Sequence, residues 1–227
     1  MSQGHHENVQ SIKPSMKSAN LGSPLIPQPR ITKLRRDVAN VISSIVHPLL
    51  FPLLVVAVVS YNLNHQNLSA AISVVLITIA ITSLPVALVV WIQVRRGAWT
   101  DFDVSQREQR FTLYPFTLIC LAVVAYVYAR LGANYAVWCV ISFVIANIVN
   151  GIINLAWKIS AHTTTASACA TLLWFLAPAW GPPAAISALL VGWSRVELRR
   201  HTVGQVIGGW IVGTGSSLIA MHFYGKF

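Results

Sequence analysis

Apolar residues fill seven stretches of this chain, and polar or turn-forming residues mark the junctions between them. The stretches run at 46–62, 69–93, 112–130, 134–157, 163–178, 183–195 and 202–223. A helix needs roughly 20 apolar residues to cross a bilayer. The fifth and sixth stretches are shorter than that. They are joined by Trp180-Gly181-Pro182-Pro183, a strong turn signal, and read either as two crossings or as one re-entrant hairpin. Pro48 and Pro52 sit near the start of the first stretch, and Pro85 predicts a kink in the second. The pattern predicts an all-α polytopic transmembrane helix bundle of six or seven spans, occupying 46–227. Upstream, 1–29 is rich in Ser, Asn, Gln and Pro, has no hydrophobic period and is expected to be a disordered cytosolic tail. Between them, 30–45 is basic and then amphipathic, with apolar Ile31, Leu34, Val38, Val41, Ile42 and Ile45. It is expected to lie at the membrane interface with Lys33, Arg35 and Arg36 toward anionic headgroups.

Composition agrees with the pattern. Only 10% of residues are charged, against about 25% in a soluble domain. The net charge of +10 could suggest nucleic acid, but the positions of the charges argue against it. Counting spans puts the polar loop 94–111 and the segments 158–162 and 194–201 on the face of the N-terminus. Of the sixteen Lys and Arg, only Arg130 and Lys226 fall on the other face. An excess of Lys and Arg marks the cytosolic side, so the N-terminus and these loops are expected to be cytosolic. Cys120, Cys139 and Cys169 lie inside apolar stretches with no metal-ligand spacing, and read as small membrane-embedded residues.

Two polar clusters interrupt the apolar pattern on that face. One is Lys158-Ile159-Ser160-Ala161-His162; the other is Ser194-Arg195, followed by His201 and Gln205. Each carries a histidine at the mouth of an apolar span. The spans beginning after Arg107 and Arg110, after His162 and after His201 would all direct helix N-termini at one region. Unpaired N–H groups there favour an anion. Two histidines and fixed cations supply what phosphoryl transfer needs: a nucleophile, an acid, and charge to hold the phosphate oxygens.

The clusters resemble motifs of the type 2 phosphatidic acid phosphatase superfamily of membrane lipid phosphatases. That family's third motif is Ser-Arg-x5-His-x3-Asp. Here Ser194-Arg195-Val196-Glu197-Leu198-Arg199-Arg200-His201-Thr202-Val203-Gly204-Gln205 matches it in spacing and departs at the last position. The second motif, Pro-Ser-Gly-His, survives as Ser160 and His162. The first, Lys-x6-Arg-Pro, is absent, and Arg107-Glu108-Gln109-Arg110 stands in its place. The resemblance covers 95–223 and implies a histidine phosphatase-like core at 46–227 that acts on a lipid phosphate and needs neither metal nor cofactor. It implies that His201 is the nucleophile forming a phosphohistidine, that His162 protonates the leaving oxygen, and that Arg195 binds phosphoryl oxygens. Ser160, Ser194, Arg107, Arg110 and Lys158 would complete the substrate-binding clamp. Gln205, one helical turn beyond His201, can accept the Nδ1 proton as the family's aspartate would, without its charge.

The expected substrate is an isoprenoid (di)phosphate or a phosphatidate, with membrane lipids as the other partner and no nucleic acid. A lipid phosphotransferase, or a lipid-phosphate binding or transport protein of weakened turnover, are the rival readings. Asp101 and Asp103 could bind Mg²⁺, but an Asp103–Arg107 pair at i, i+4 is the better account of Asp103. Asn147, Asn150, Asn154 and Lys158 fall on one helical stripe, and the glycines of the last span invite close packing. His47, His65 and His222 read as interfacial histidines outside the site.

Overall fold

The computed structural model describes Met1, residues 32–64 and residues 66–225. The rest of the expected tail at 1–29, with Arg30, His65 and Lys226, lies outside the described residues. Helices dominate what is described, and no strand occurs among the described residues. Helix α1 is Lys33–Ile45 and α2 is Phe51–Leu63. Helix α3 runs Leu68–Arg95 as one continuous rod, and α4 is Arg110–Arg130. Helix α5 is Asn134–Ala156 and α6 is Ala161–Leu176. A 3₁₀ turn at Pro178–Trp180 leads into α7, Gly181–Glu197, and α8 is Val203–Phe223. The all-α membrane bundle expected from the sequence is present. Four helices, α3, α4, α5 and α8, are long and apolar enough to cross a membrane. Helices α2, α6 and α7 have 13, 16 and 17 residues.

Local chemistry sets several boundaries. Pro85 produces a π-helical turn at Ile79–Ser83 inside α3. It lacks an N–H and its ring clashes with a carbonyl one turn earlier, and the wider turn absorbs both defects. The Gly181-Pro182-Pro183 segment, expected as the turn itself, opens α7 instead. Proline suits the first turn of a helix, where N–H groups have no partner. Amphipathic α1 docks on α7 through Ala39 and Ser43 and leaves Leu34, Val38, Val41 and Ile45 exposed. Arg35 turns back to Glu197 at 2.8 Å, where the sequence had pointed it at headgroups.

Helix α6 is the axis of the bundle. Its Ala, Ser, Thr and Cys side chains are small and mostly buried, and α2, α5, α7 and α8 pack around it. Helix α8 approaches it most closely. A Cβ placed on Gly209 would collide with Thr163 Oγ1 and the Ser160 carbonyl; one on Gly213 would collide with the Thr164 carbonyl and Ser167 Oγ. Ser142 and Ser217 exchange a hydrogen bond of 2.7 Å between α5 and α8. The amide stripe of α5 cross-links its neighbours: Asn154 Nδ2 donates to the Arg107 carbonyl at 3.0 Å, and Asn150 Oδ1 accepts from Thr164 Oγ1 at 3.3 Å. The stripe does not reach Lys158, because α5 ends at Ala156 and Trp157 is extended.

Four junctions therefore meet at one end of the bundle: α1–α2, α3–α4, α5–α6 and α7–α8. Arg195 reaches Ser43 and Asp103, Lys158 reaches the Arg200 carbonyl, and the Ser160 N–H points to the Gln205 carbonyl at 3.4 Å. Because α6 and α8 touch through glycine, Gly213→Ala should destabilise the protein by about 1–3 kcal/mol through overpacking. Gly215→Ala, with nothing within 4 Å of the new carbon, should change stability by less than about 0.5 kcal/mol. Unfolding in detergent, followed by circular dichroism, checks both.

Candidate active site

His162 occupies the first turn of α6. Ser160 caps that helix, its Oγ accepting the Thr163 N–H. His162 is 4% exposed, and its Nε2 has no hydrogen-bond partner among the described residues. His201 lies in the short α7–α8 connection, just before the Thr202 cap of α8. The two histidines are near enough to interact electrostatically.

Gln205 fixes the state of His201. Its Oε1 accepts the Thr202 N–H at 3.2 Å in a capping box, and the same oxygen lies 3.1 Å from His201 Nδ1. A backbone N–H can only donate, so the atom facing His201 is the amide oxygen. His201 Nδ1 must then carry the proton, and Nε2 keeps its lone pair. Burial lowers the His201 pKa to about 3, with Arg110, Arg195 and Lys158 adding to the shift and the Gln205 hydrogen bond opposing it. The ring is neutral at physiological pH.

Three cations surround it. Arg195, 2% exposed, donates from one terminal nitrogen to Asp103 Oδ2 and Ser43 Oγ, both at 2.8 Å, while its Nε has no partner among the described residues. Arg110, 4% exposed, donates to the carbonyls of Val104 and Ile159, both at 2.8 Å. Val104 sits at φ 48°, a left-handed conformation that β-branched residues rarely adopt; the Arg110 bond and packing against Val90 and Trp99 hold it there. Lys158 Nζ donates to the Arg200 carbonyl at 3.0 Å. Burial lowers its pKa, as do Arg110, Arg195 and Arg200, with Asp101 opposing.

Several expected site residues are engaged elsewhere. Arg107 bonds the Leu155 and Ala156 carbonyls and lies 3.5 Å from Glu108, so it caps the end of α5. Ser194 Oγ donates to the Val191 carbonyl of its own helix. Ser160 acts as the α6 cap. The expected Asp103–Arg107 pair is replaced by Asp103–Arg195, because 101–109 is not helical and i, i+4 spacing there implies no shared face.

The structure adds His47, which the sequence had placed outside the site. It lies between α1 and α2, with its ring perpendicular to His162 at a centroid distance of 5.2 Å. The Leu49 N–H donates to His47 Nδ1 at 3.2 Å, so Nε2 carries the proton and faces Asp103 Oδ1 at 4.0 Å. Burial lowers the His47 pKa, Asp103 raises it and Arg195 lowers it. No local motif announced His47; its only signal was a polar residue just before Pro48 on the crowded face. His47, Asp103 and His162 bring potential ligand atoms within 4.8 Å of one another, close enough to hold a metal ion by distance. The Arg195–Asp103 bond places a fixed cation beside that cluster, which opposes a second one. A polar cavity of about 260 Å³ opens beside Asn40, Ser43, His47, Asp103, Arg195 and Arg200.

Comparison with known proteins bears on this arrangement. The family model of the PAP2 superfamily matches residues 116–227. The chain belongs to the PAP2 superfamily. The match contains His162, Arg195, His201 and Gln205, while His47, Asp103 and Arg110 precede it. Membership supports phosphatase-type activity on phosphate esters, and with the four long apolar helices it makes this PAP2 protein an integral membrane protein. No curated protein and no solved structure matches the chain.

The depressed His201 pKa sets a pH dependence of stability. An unfolded histidine takes up a proton near pH 6.5, whereas folded His201 resists protonation down to about 3. The unfolded state thus binds the extra proton, and stability should fall as pH drops from about 6.5 toward 3. Unfolding midpoints measured across that range should fall less steeply in His201→Gln.

Proposed function

We propose that this PAP2 protein hydrolyses a phosphate or diphosphate carried on a lipid, through a phosphohistidine at His201. The observation that carries the reading is a neutral, buried imidazole whose Nδ1 is tied to Gln205, leaving Nε2 free among Arg110, Arg195 and Lys158. Nε2 attacks phosphorus, and the bond from phosphorus to the leaving oxygen breaks. His162, which burial and the nearby cations keep unprotonated in the empty site, takes up a proton with the anionic substrate and gives it to that oxygen. Water then attacks the phosphohistidine, His162 takes the water's proton, and phosphate leaves with His201 restored. The guanidinium and ammonium groups offset charge on the transferring phosphoryl group, the electrostatic role that dominates such reactions. Substrate charge also reverses the repulsion that depresses the His201 pKa, so the imidazolium-like nitrogen of the intermediate is tolerated once phosphate is bound.

Asp103 holds Arg195 and faces His47, whose ring packs on His162. These two residues would position the acid and the main phosphate-binding arginine without touching phosphorus. The site end carries the Lys and Arg excess, so the positive-inside rule supports a cytosolic active site. An isoprenoid (di)phosphate or a phosphatidate is the substrate class.

Phosphate release from such lipids by the purified protein tests the reading. His201→Ala should lower kcat by at least about 10³-fold, and radiolabelled phosphate should be trapped on the wild-type chain but not on that variant. Gln205→Asp should retain or raise turnover, and chelators should leave activity unchanged. Release that is undiminished in His201→Ala, or abolished by chelation, would sink the mechanism.

A further inference from the structure

Below the site, a second cavity of about 210 Å³ runs between α2, α3, α4, α5 and α6. Its upper end touches Pro48 and Ala161, the chain neighbours of His47 and His162, so it adjoins the polar cavity that His47 and Arg195 line. Its lower end reaches Cys139 and Tyr128. From Asn150 to Cys139 along α5 the cavity is about 16 Å deep, at 1.5 Å per residue. Its lining is mostly apolar, although Thr82 Oγ1 and the Tyr114 hydroxyl on it have no hydrogen-bond partner among the described residues. The hydroxyls of Thr78, Thr117 and Thr164 bond to carbonyls of their own helices. Tyr128, 1% exposed, closes the floor, its hydroxyl donating to Thr78 Oγ1, which in turn donates to the Val74 carbonyl.

We propose that this cavity receives the substrate's hydrocarbon tail, one chain only, and that Tyr128 with Thr78 sets the length it accepts. The inference rests on the phosphatase reading and deepens it. A polar cavity with fixed cations, beside a narrow apolar one inside the membrane-spanning bundle, fits an amphiphile with an anionic head. Spread over that depth, taken at 1.5 Å per residue, 210 Å³ leaves a cross-section of only about 13 Å², no more than a single hydrocarbon chain needs. Two acyl chains cannot enter side by side. The shared chemistry is a linear hydrocarbon chain on a phosphate or diphosphate, whether prenyl or alkyl.

The test uses short, water-soluble prenyl phosphates and alkyl phosphates of increasing length, with p-nitrophenyl phosphate as the chainless reference. Chains arriving from water gain by burial, whereas chains arriving from lipid would not. The readout is the ratio of kcat/KM for each chain to that for the reference, which cancels any change at the catalytic end. In the wild type this ratio should rise with length, by up to about fourfold per methylene, and then level off. Tyr128→Ala should move the plateau to longer chains. Ala146→Phe, which narrows the cavity midway, should move it to shorter ones and keeps the test alive if the tyrosine variant does not fold. A rise confined to the prenyl series assigns the tail as isoprenoid; a rise in both assigns any linear chain. A length-independent ratio, or one profile shared by all three proteins, overturns the tail cavity while p-nitrophenyl phosphate hydrolysis preserves the phosphatase reading. Failure to hydrolyse every ester, the reference included, removes that reading itself.

Discussion

The close approach of α6 and α8 is the constraint on which the site depends. Gly209 and Gly213 let the two backbones meet where any side chain would strike Ser160, Thr163, Thr164 or Ser167. Inside a membrane the hydrophobic effect gives helices no reason to associate, so van der Waals fit and hydrogen bonds must do so. That fit fixes more than stability. His162 begins one of these helices and His201 immediately precedes the other. Their separation is therefore set by helix packing, and the 3.4 Å contact from the Ser160 N–H to the Gln205 carbonyl joins the two starting points. A loop carrying either histidine would have much more freedom than a helix mouth held in this way.

The second determinant is an incomplete neutralisation of charge. The chain contains sixteen Lys and Arg against six Asp and Glu, and at the site Asp103 is the carboxylate bonded to Arg195. Arg110 and Lys158 instead donate to backbone carbonyls, which orient them and leave their charge uncompensated. A buried Arg110 and a half-buried Lys158, both held by neutral acceptors, add to the positive potential of a poorly screened space. The same potential keeps His201 unprotonated and attracts an anion. Under the proposed mechanism, the nucleophile and its electrostatic stabilisation arise from one arrangement, with the cations fixed in place before any substrate arrives.

The sequence made the spans legible because long apolar runs leave few alternatives in a bilayer. It also singled out His162, Arg195 and His201 as candidates, since each belongs to a short local pattern at a span boundary. What it missed depended on helix register or on distant contacts. Reading Asp103 with Arg107, and Lys158 with the asparagine stripe, assumed helix where the chain is irregular: α4 begins at Arg110 and α5 ends at Ala156. Ser194 looked available, but a hydroxyl inside an apolar helix finds its nearest acceptor on its own backbone. His47 was passed over because its partners, Asp103 and His162, lie far along the chain and no spacing rule links them.

Gln205 shows how orientation and charge can be separated in such a site. An aspartate at that position would hold the Nδ1 proton and favour the imidazolium. The amide holds the same proton but supplies no counter-charge, so it favours the neutral ring. It gains a second task in exchange, since its oxygen also accepts the Thr202 N–H and closes the cap of α8. The carboxylate of this site stands instead at Asp103, against the arginine and toward His47. Negative charge thus steadies the Arg195 guanidinium, and under the proposed mechanism the phosphoryl group is left as the main counter-charge for His201. A nucleophile arranged in this way becomes compatible with positive charge only when its substrate is present, which ties its chemistry to occupancy of the pocket.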